Sequence, residues 1–176
     1  MTMWVFGYGS LIWNSGFQVA RSEIATLDGF ARSFCMWSVH YRGTSEAPGL
    51  VLGLDHNPNA ACCGMALAVA EGQEDETLAY LRERELTASA YEEQQVPLTL
   101  RSGEMVTAYT YVVDPAHELY CGGLSLEQQA GIISRAAGNR GPNADYLLNT
   151  VAHLGEIGID DHDLCWLATR VKELVA

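Results

Sequence analysis

The chain has 176 residues, 48% of them hydrophobic, enough to furnish the core of one domain spanning residues 1–176. Its formal net charge is −12 and it carries only ten Lys and Arg, which excludes a protein that works by neutralising nucleic-acid phosphates or an anionic membrane surface. The expected partner is a small molecule or a protein, with no nucleic acid and no membrane.

From the N-terminus, Met3 to Phe6 reads as a short apolar strand, and a Gly-rich turn, Gly7-Tyr8-Gly9-Ser10-Leu11, follows it directly. Thr26 to Val39 alternates as a strand does. Gly49–Leu54 and Cys63–Val69 read as two further strands around a turn at His56–Asn59, "HNPN". The spacing predicts a helix over Glu74 to Ala88, with acidic residues in its first turn and Leu78 and Leu81 on one face. "QVPLTL" and "VTAYTYVV" flank "RSGE" at Arg101 to Glu104 as a hairpin. Two helices follow, one with Ser125 as N-cap and Gly138 as stop, the other from Asn143 to Gly155. A last helix with an acidic cap, "DDHDLCWLATRVKELV", closes the chain. Strands early and helices late predict an α+β fold, a small, mostly antiparallel β-barrel with flanking helices.

The five cysteines, Cys35, Cys62, Cys63, Cys121 and Cys165, form no CxxC pair, and the five histidines are scattered. Neither a disulfide framework nor a metal site is expected, and Cys35 and Cys165 read as small buried hydrophobes. No leader-like or membrane-spanning segment is visible, so the expected setting is cytoplasmic.

Two features carry chemistry. The turn at Gly7 to Leu11 lacks the third glycine of a dinucleotide fingerprint, the ending of a P-loop and the frame of a nucleophile elbow. It reads either as a plain tight turn or as backbone brought close to a ligand. Glu85 is the second feature. At 100° per residue it falls about 20° from Leu78 and about 40° from Leu81, so it points inward, near the negative end of the helix dipole. Both effects hold its proton more tightly than a surface glutamate's, which suits a group acting as base and then as acid. Alternatively Glu85 pairs with an arginine and only fixes the helix; Arg82 and Arg84 are close in sequence, and Arg32 and Arg42 lie on or beside the preceding strand. Arg42, after His40 and Tyr41, reads as a cationic loop or as a solvated turn.

"VFGYGSLIW" from Val5, "HYRG" from His40, "RELTASAY" from Arg84 and "YCGGLSLEQQAGIISRAAGNRGPNADYL" from Tyr120 together resemble the ChaC-like glutathione-specific γ-glutamylcyclotransferases. The resemblance implies a cytosolic enzyme that cleaves glutathione to 5-oxoproline and cysteinylglycine, with no metal or organic cofactor. By the same resemblance Glu85 is catalytic, while Gly7, Tyr8, Gly9, Ser10 and Leu11 form the substrate-binding turn. Tyr91 corresponds to a tyrosine after the glutamate, reached here through "LTASAY" where some members have a shorter Gly-Gly-Tyr link. Arg42 and Tyr146 match recurrent family positions. Rival readings are a cyclotransferase for other γ-glutamyl amino acids or γ-glutamylamines, and a noncatalytic module that binds a γ-glutamyl ligand.

Overall fold

Alternation along the first strand organises the computed structural model, which describes residues 1–87 and 90–176. All four residues of β1 (Trp4–Gly7) are buried. Trp4 and Phe6 join Ala25 and Leu27 of β2 (Val19–Ser38), Ala66 and Ala68 of β3 (Gly49–Val69), Leu98 of β4 (Tyr91–Leu100) and Ala108 of β5 (Met105–Val113). Every strand contributes to this cluster, so it is the interior of a closed barrel, of strand order β1-β3-β2-β4-β5. Val5, pointing the other way, meets Leu67 and Val69 of β3, Tyr111 of β5 and Leu81 of α1 (Glu74–Leu86). The barrel is mostly antiparallel. Trp4 lies opposite Ala68 in an antiparallel pair and opposite Ala108 in a parallel one, and the parallel pair closes the ring.

Two expectations about these elements are corrected. The "HNPN" segment is not a turn but part of the single 21-residue strand β3. β2, which is 20 residues long and hydrogen-bonded beside it, supplies a partner that keeps this segment extended despite its turn-forming composition. The helix capped by Ser125, α2 (Leu126–Arg135), ends before Gly138. Ala136 turns extended, its carbonyl accepts from Asn143 N–H, and β6 (Ala137–Gly138) pairs with β7 (Gly141–Pro142). The helix expected to reach Ala88 is seen to Leu86; Ala88 and Ser89, within "LTASAY", lie outside the described residues.

Residues Met1–Arg32 and Leu54–His117 form one compact unit, and Ser33–Gly53 with Glu118–Ala176 another. In the second, α2 packs with α3 (Asn143–Glu156) and α4 (His162–Val175) around Ile133, Leu147, Leu154, Leu167 and Val171. The Ser125 side chain and Gln128 form a reciprocal capping box, and Asp161 caps α4 by accepting from Leu164 N–H. Cys35 is fully buried, whereas Cys165 is half-buried with its Sγ 3.3 Å from Asp160 Oδ1, so only Cys35 fits the small buried hydrophobe. Among the described residues no helix is long and apolar enough to cross a membrane.

Asn143, at the head of α3, is fully buried and behaves like a piece of strand. Its Nδ2 donates to the Leu50 carbonyl at 2.9 Å and its Oδ1 accepts from Leu50 N–H at 2.8 Å. Two residues along β3, Leu52 N–H donates to the Tyr146 hydroxyl at 3.2 Å. Side chains of α3 thus satisfy strand groups that a neighbouring strand otherwise would, as buried backbone requires. Asn143→Ala strands both Leu50 groups and is expected to cost about 3 kcal/mol of stability, measured by urea unfolding; a loss below about 0.5 kcal/mol would contradict this account.

Candidate active site

The segment leaving β1 is a turn closed by two backbone hydrogen bonds. Ile12 N–H donates to the Gly9 carbonyl at 2.9 Å and Asn14 N–H to the Ser10 carbonyl at 2.7 Å. Gly7 lets the turn fold back tightly, since a Cβ there would lie 3.2 Å from Ile12 Cγ1 and 3.3 Å from Leu11 Cβ. Tyr8 is half-buried, Gly9 buried and Ser10 exposed. The Leu11 side chain is buried in the cluster beneath α1, so only its backbone is available to a ligand. Arg32, itself buried, anchors the turn: Nε donates to the Tyr8 carbonyl and Nη2 to the Cys63 carbonyl, each at 2.6 Å.

α1 brings a carboxyl group to this turn. Thr77 and Leu81 are its buried residues, and Leu78 is only half-buried. One turn beyond Leu81, the Glu85 side chain is 19% exposed. Burial pushes its carboxyl above the usual carboxylate range, and the charge of Arg84, whose Nε is 3.4 Å from Glu85 Oε1, opposes that rise in part. Arg82 does not pair with Glu85. Its guanidinium binds Glu93 of β4 through Nε and Nη2 at 3.0 and 2.9 Å, and Glu93 Oε1 also accepts from the Tyr111 hydroxyl at 3.0 Å. Burial, Glu93 and the charge of Glu85 together hold the Tyr111 proton far more tightly than an ordinary tyrosine's. Tyr91, the first residue of β4, packs half-buried against the cluster that contains Leu81 and Tyr111.

Ser10 and Glu85 are joined through Arg84, whose Nη2 donates to Ser10 Oγ at 3.0 Å. Helical periodicity marks Arg84 only as a neighbour of Glu85 and says nothing of a reach across 74 positions. Arg42 and Tyr146 are together in the second unit. The Arg42 guanidinium lies 5.6 Å from the Tyr146 ring centroid, and its Nη1 donates to the carbonyls of Arg140 and Pro142 at 2.9 and 3.2 Å. The Tyr146 ring meets Phe34 edge-on with centroids 5.8 Å apart. Both residues therefore have structural work in that unit. Among the described residues no group of three or more His, Cys, Asp and Glu is arranged to hold a metal ion.

The raised Glu85 carboxyl has a stability consequence. Its contribution is fully present below the ordinary glutamate pKa and is lost as pH rises through the raised value, because the folded state then holds a desolvated carboxylate. Glu85→Gln is expected to melt at higher temperature than the parent at pH 7.5, with the difference vanishing near pH 4; calorimetric melts at the two pH values check it, and an unchanged or lower Tm at pH 7.5 would contradict it.

The ChaC-like protein family model matches residues 3–174. The glutathione-specific γ-glutamylcyclotransferase of Escherichia coli K12 is 33% identical over 174 residues, covering 99% of this chain and 74% of that protein. γ-Glutamylcyclotransferase 2-3 of Arabidopsis thaliana is 32% identical, covering 100% and 92%. The crystal structure of the yeast γ-glutamyl cyclotransferase specific to glutathione shares the fold, with a TM-score of 0.84 at 22% identity over 100% of each chain. The family model spans nearly the whole chain, and the chain belongs to the ChaC-like family.

Proposed function

We propose that this chain is a glutathione-specific γ-glutamylcyclotransferase, acting as one catalytic domain on a free tripeptide in the cytoplasm. The names of its relatives support the activity, and the observation that carries the chemistry is Glu85: a desolvated carboxyl with a raised pKa, linked through Arg84 to Ser10 of the turn.

The substrate carries its own nucleophile. The α-amine of the glutamyl unit attacks its own γ-carbonyl carbon, a C–N bond closes the five-membered lactam, and the C–N bond to the cysteinyl nitrogen breaks, releasing 5-oxoproline and cysteinylglycine. The protein therefore need not supply a Ser or Cys nucleophile. Holding the flexible glutamyl chain in attack geometry is worth about 7–11 kcal/mol when orientation is ideal. Glu85 as carboxylate takes the proton the amine loses, and as acid returns it to the departing nitrogen; a raised pKa makes both halves accessible near neutrality. Amides of the Gly7 to Leu11 turn grip the α-carboxylate or the tetrahedral oxyanion, with Tyr8 and Tyr91 as walls. The family resemblance, and not a distance to the turn, is what supports a substrate-binding role for Arg42 and Tyr146, with the glycine-end carboxylate as the group a guanidinium would take.

The purified chain is expected to release 5-oxoproline from glutathione, and Glu85→Gln to lower that rate by about 10²–10⁴-fold while remaining folded. Full activity in the variant removes the mechanism. Faster release from γ-glutamylalanine or a γ-glutamylamine than from glutathione reassigns the substrate, and binding without turnover leaves only a γ-glutamyl-binding module. Arg42→Ala is expected to raise KM for glutathione by about tenfold with a smaller effect for a γ-glutamylamine lacking the terminal carboxylate; equal effects on both would remove Arg42 from substrate binding.

A further inference from the structure

Arg84 precedes Glu85 on α1, and the nitrogens of its guanidinium have three different surroundings. Nη2 donates to Ser10 Oγ at 3.0 Å. Nη1 donates to the Asn14 carbonyl at 2.6 Å and is 3.3 Å from the Ser15 carbonyl and 3.2 Å from the Tyr80 hydroxyl. Nε is 3.4 Å from Glu85 Oε1. The chain after the turn lies hard against the helix at this point: Gly16 has φ +76°, and a Cβ there would sit 1.9 Å from the Tyr80 hydroxyl oxygen. An ordinary helix-surface arginine reaches one carboxylate, whereas this one, 20% exposed, is committed to both ends of the turn segment and to the carboxyl group.

We propose that Arg84 is a positioning residue for the reaction, a fork that holds the substrate-gripping turn and the proton-carrying carboxyl at one fixed separation. This deepens the function proposed above and rests on it. A lysine cannot replace it, because an ammonium is a single point and a guanidinium spans three directions in one plane. Among the described residues Arg84 on α1 is at ion-pair distance from Glu85, and Tyr111 on β5 feels the Glu85 charge; Glu93 on β4 accepts from both Tyr111 and Arg82.

Loss of the fork has two signatures that a purely structural role does not share. The turn loosens, so KM rises, and the cation that favours the Glu85 carboxylate disappears, so the acid limb of the kcat/KM profile moves to higher pH. The test measures 5-oxoproline release from glutathione across pH by the full chain, its Arg84→Gln and its Arg84→Lys variants, each corrected for the folded fraction by circular dichroism. Arg84→Gln is expected to raise KM by about tenfold or more and to shift the acid limb upward; Arg84→Lys is expected to restore the limb but not KM. Wild-type KM and limb in Arg84→Gln would overturn the proposal, as would full recovery of KM by lysine, and if the Gln variant does not fold the lysine variant alone decides through KM. A parent chain that turns over no γ-glutamyl compound sinks the function, and Arg84 is then judged by ¹³C NMR titration of the Glu85 carboxyl in the parent and the Lys and Gln variants: a midpoint raised in Gln and restored in Lys supports the fork's charge, and an unmoved midpoint overturns it.

Discussion

Strand β1 has no face to offer to water, and the first unit is arranged around that constraint. Successive side chains of a strand point to opposite sides, so Trp4 and Phe6 must enter the barrel interior while Val5 enters the layer beneath α1. Each large side chain buried this way contributes about 1.5–3 kcal/mol, and a one-residue slip would exchange the two sets. With β1 held in register against β3 and β5, the turn that leaves it has one place to be. α1 is seated on the same layer through Leu81, which brings Glu85 to that turn.

The charges follow from this packing. A chain of net charge −12 can treat an anionic substrate favourably only through local arrangement, because net charge describes the whole surface and not a single hollow. Its arginines are placed accordingly. Arg32 is buried on two carbonyls, Arg82 is bidentate on Glu93, and Arg84 lies between the turn and Glu85. Among the described residues Arg84 is the cation at ion-pair distance from Glu85, and burial outweighs it, so the carboxyl pKa is raised. Glu93, which also faces Tyr111, is held below the usual range chiefly by Arg82. Two carboxyl groups close to one helix end are thereby given opposite tendencies by their partners.

In the second unit the side chains of one short motif perform structural tasks. In "NADYL" the asparagine exchanges two hydrogen bonds with Leu50 and the tyrosine accepts one from Leu52. Leaving any of these buried strand groups unmet would cost about 1–3 kcal/mol each, so the spacing of Asn143 and Tyr146 on one face of α3 follows from the spacing of alternate amides on β3. Arg42 extends this logic: part of its guanidinium holds the carbonyls of the short hairpin before α3.

By itself the sequence determined the order of strands and helices, the caps at Ser125 and before α4, the alternation that makes a barrel, and the inward aspect of Glu85. Those features depend on residues a few positions apart, where periodicity and capping chemistry act. Only tertiary structure decided that Asp55 to Cys62 continues one long strand instead of turning, because a neighbouring strand supplied the hydrogen bonds that local composition did not predict. It likewise decided that Arg82 belongs to Glu93, that Leu11 buries its side chain, and that Arg84 reaches back to Ser10. Such pairings join residues far apart in the chain, and a guanidinium selects its acceptors by distance and direction in space, which helical or strand spacing does not encode.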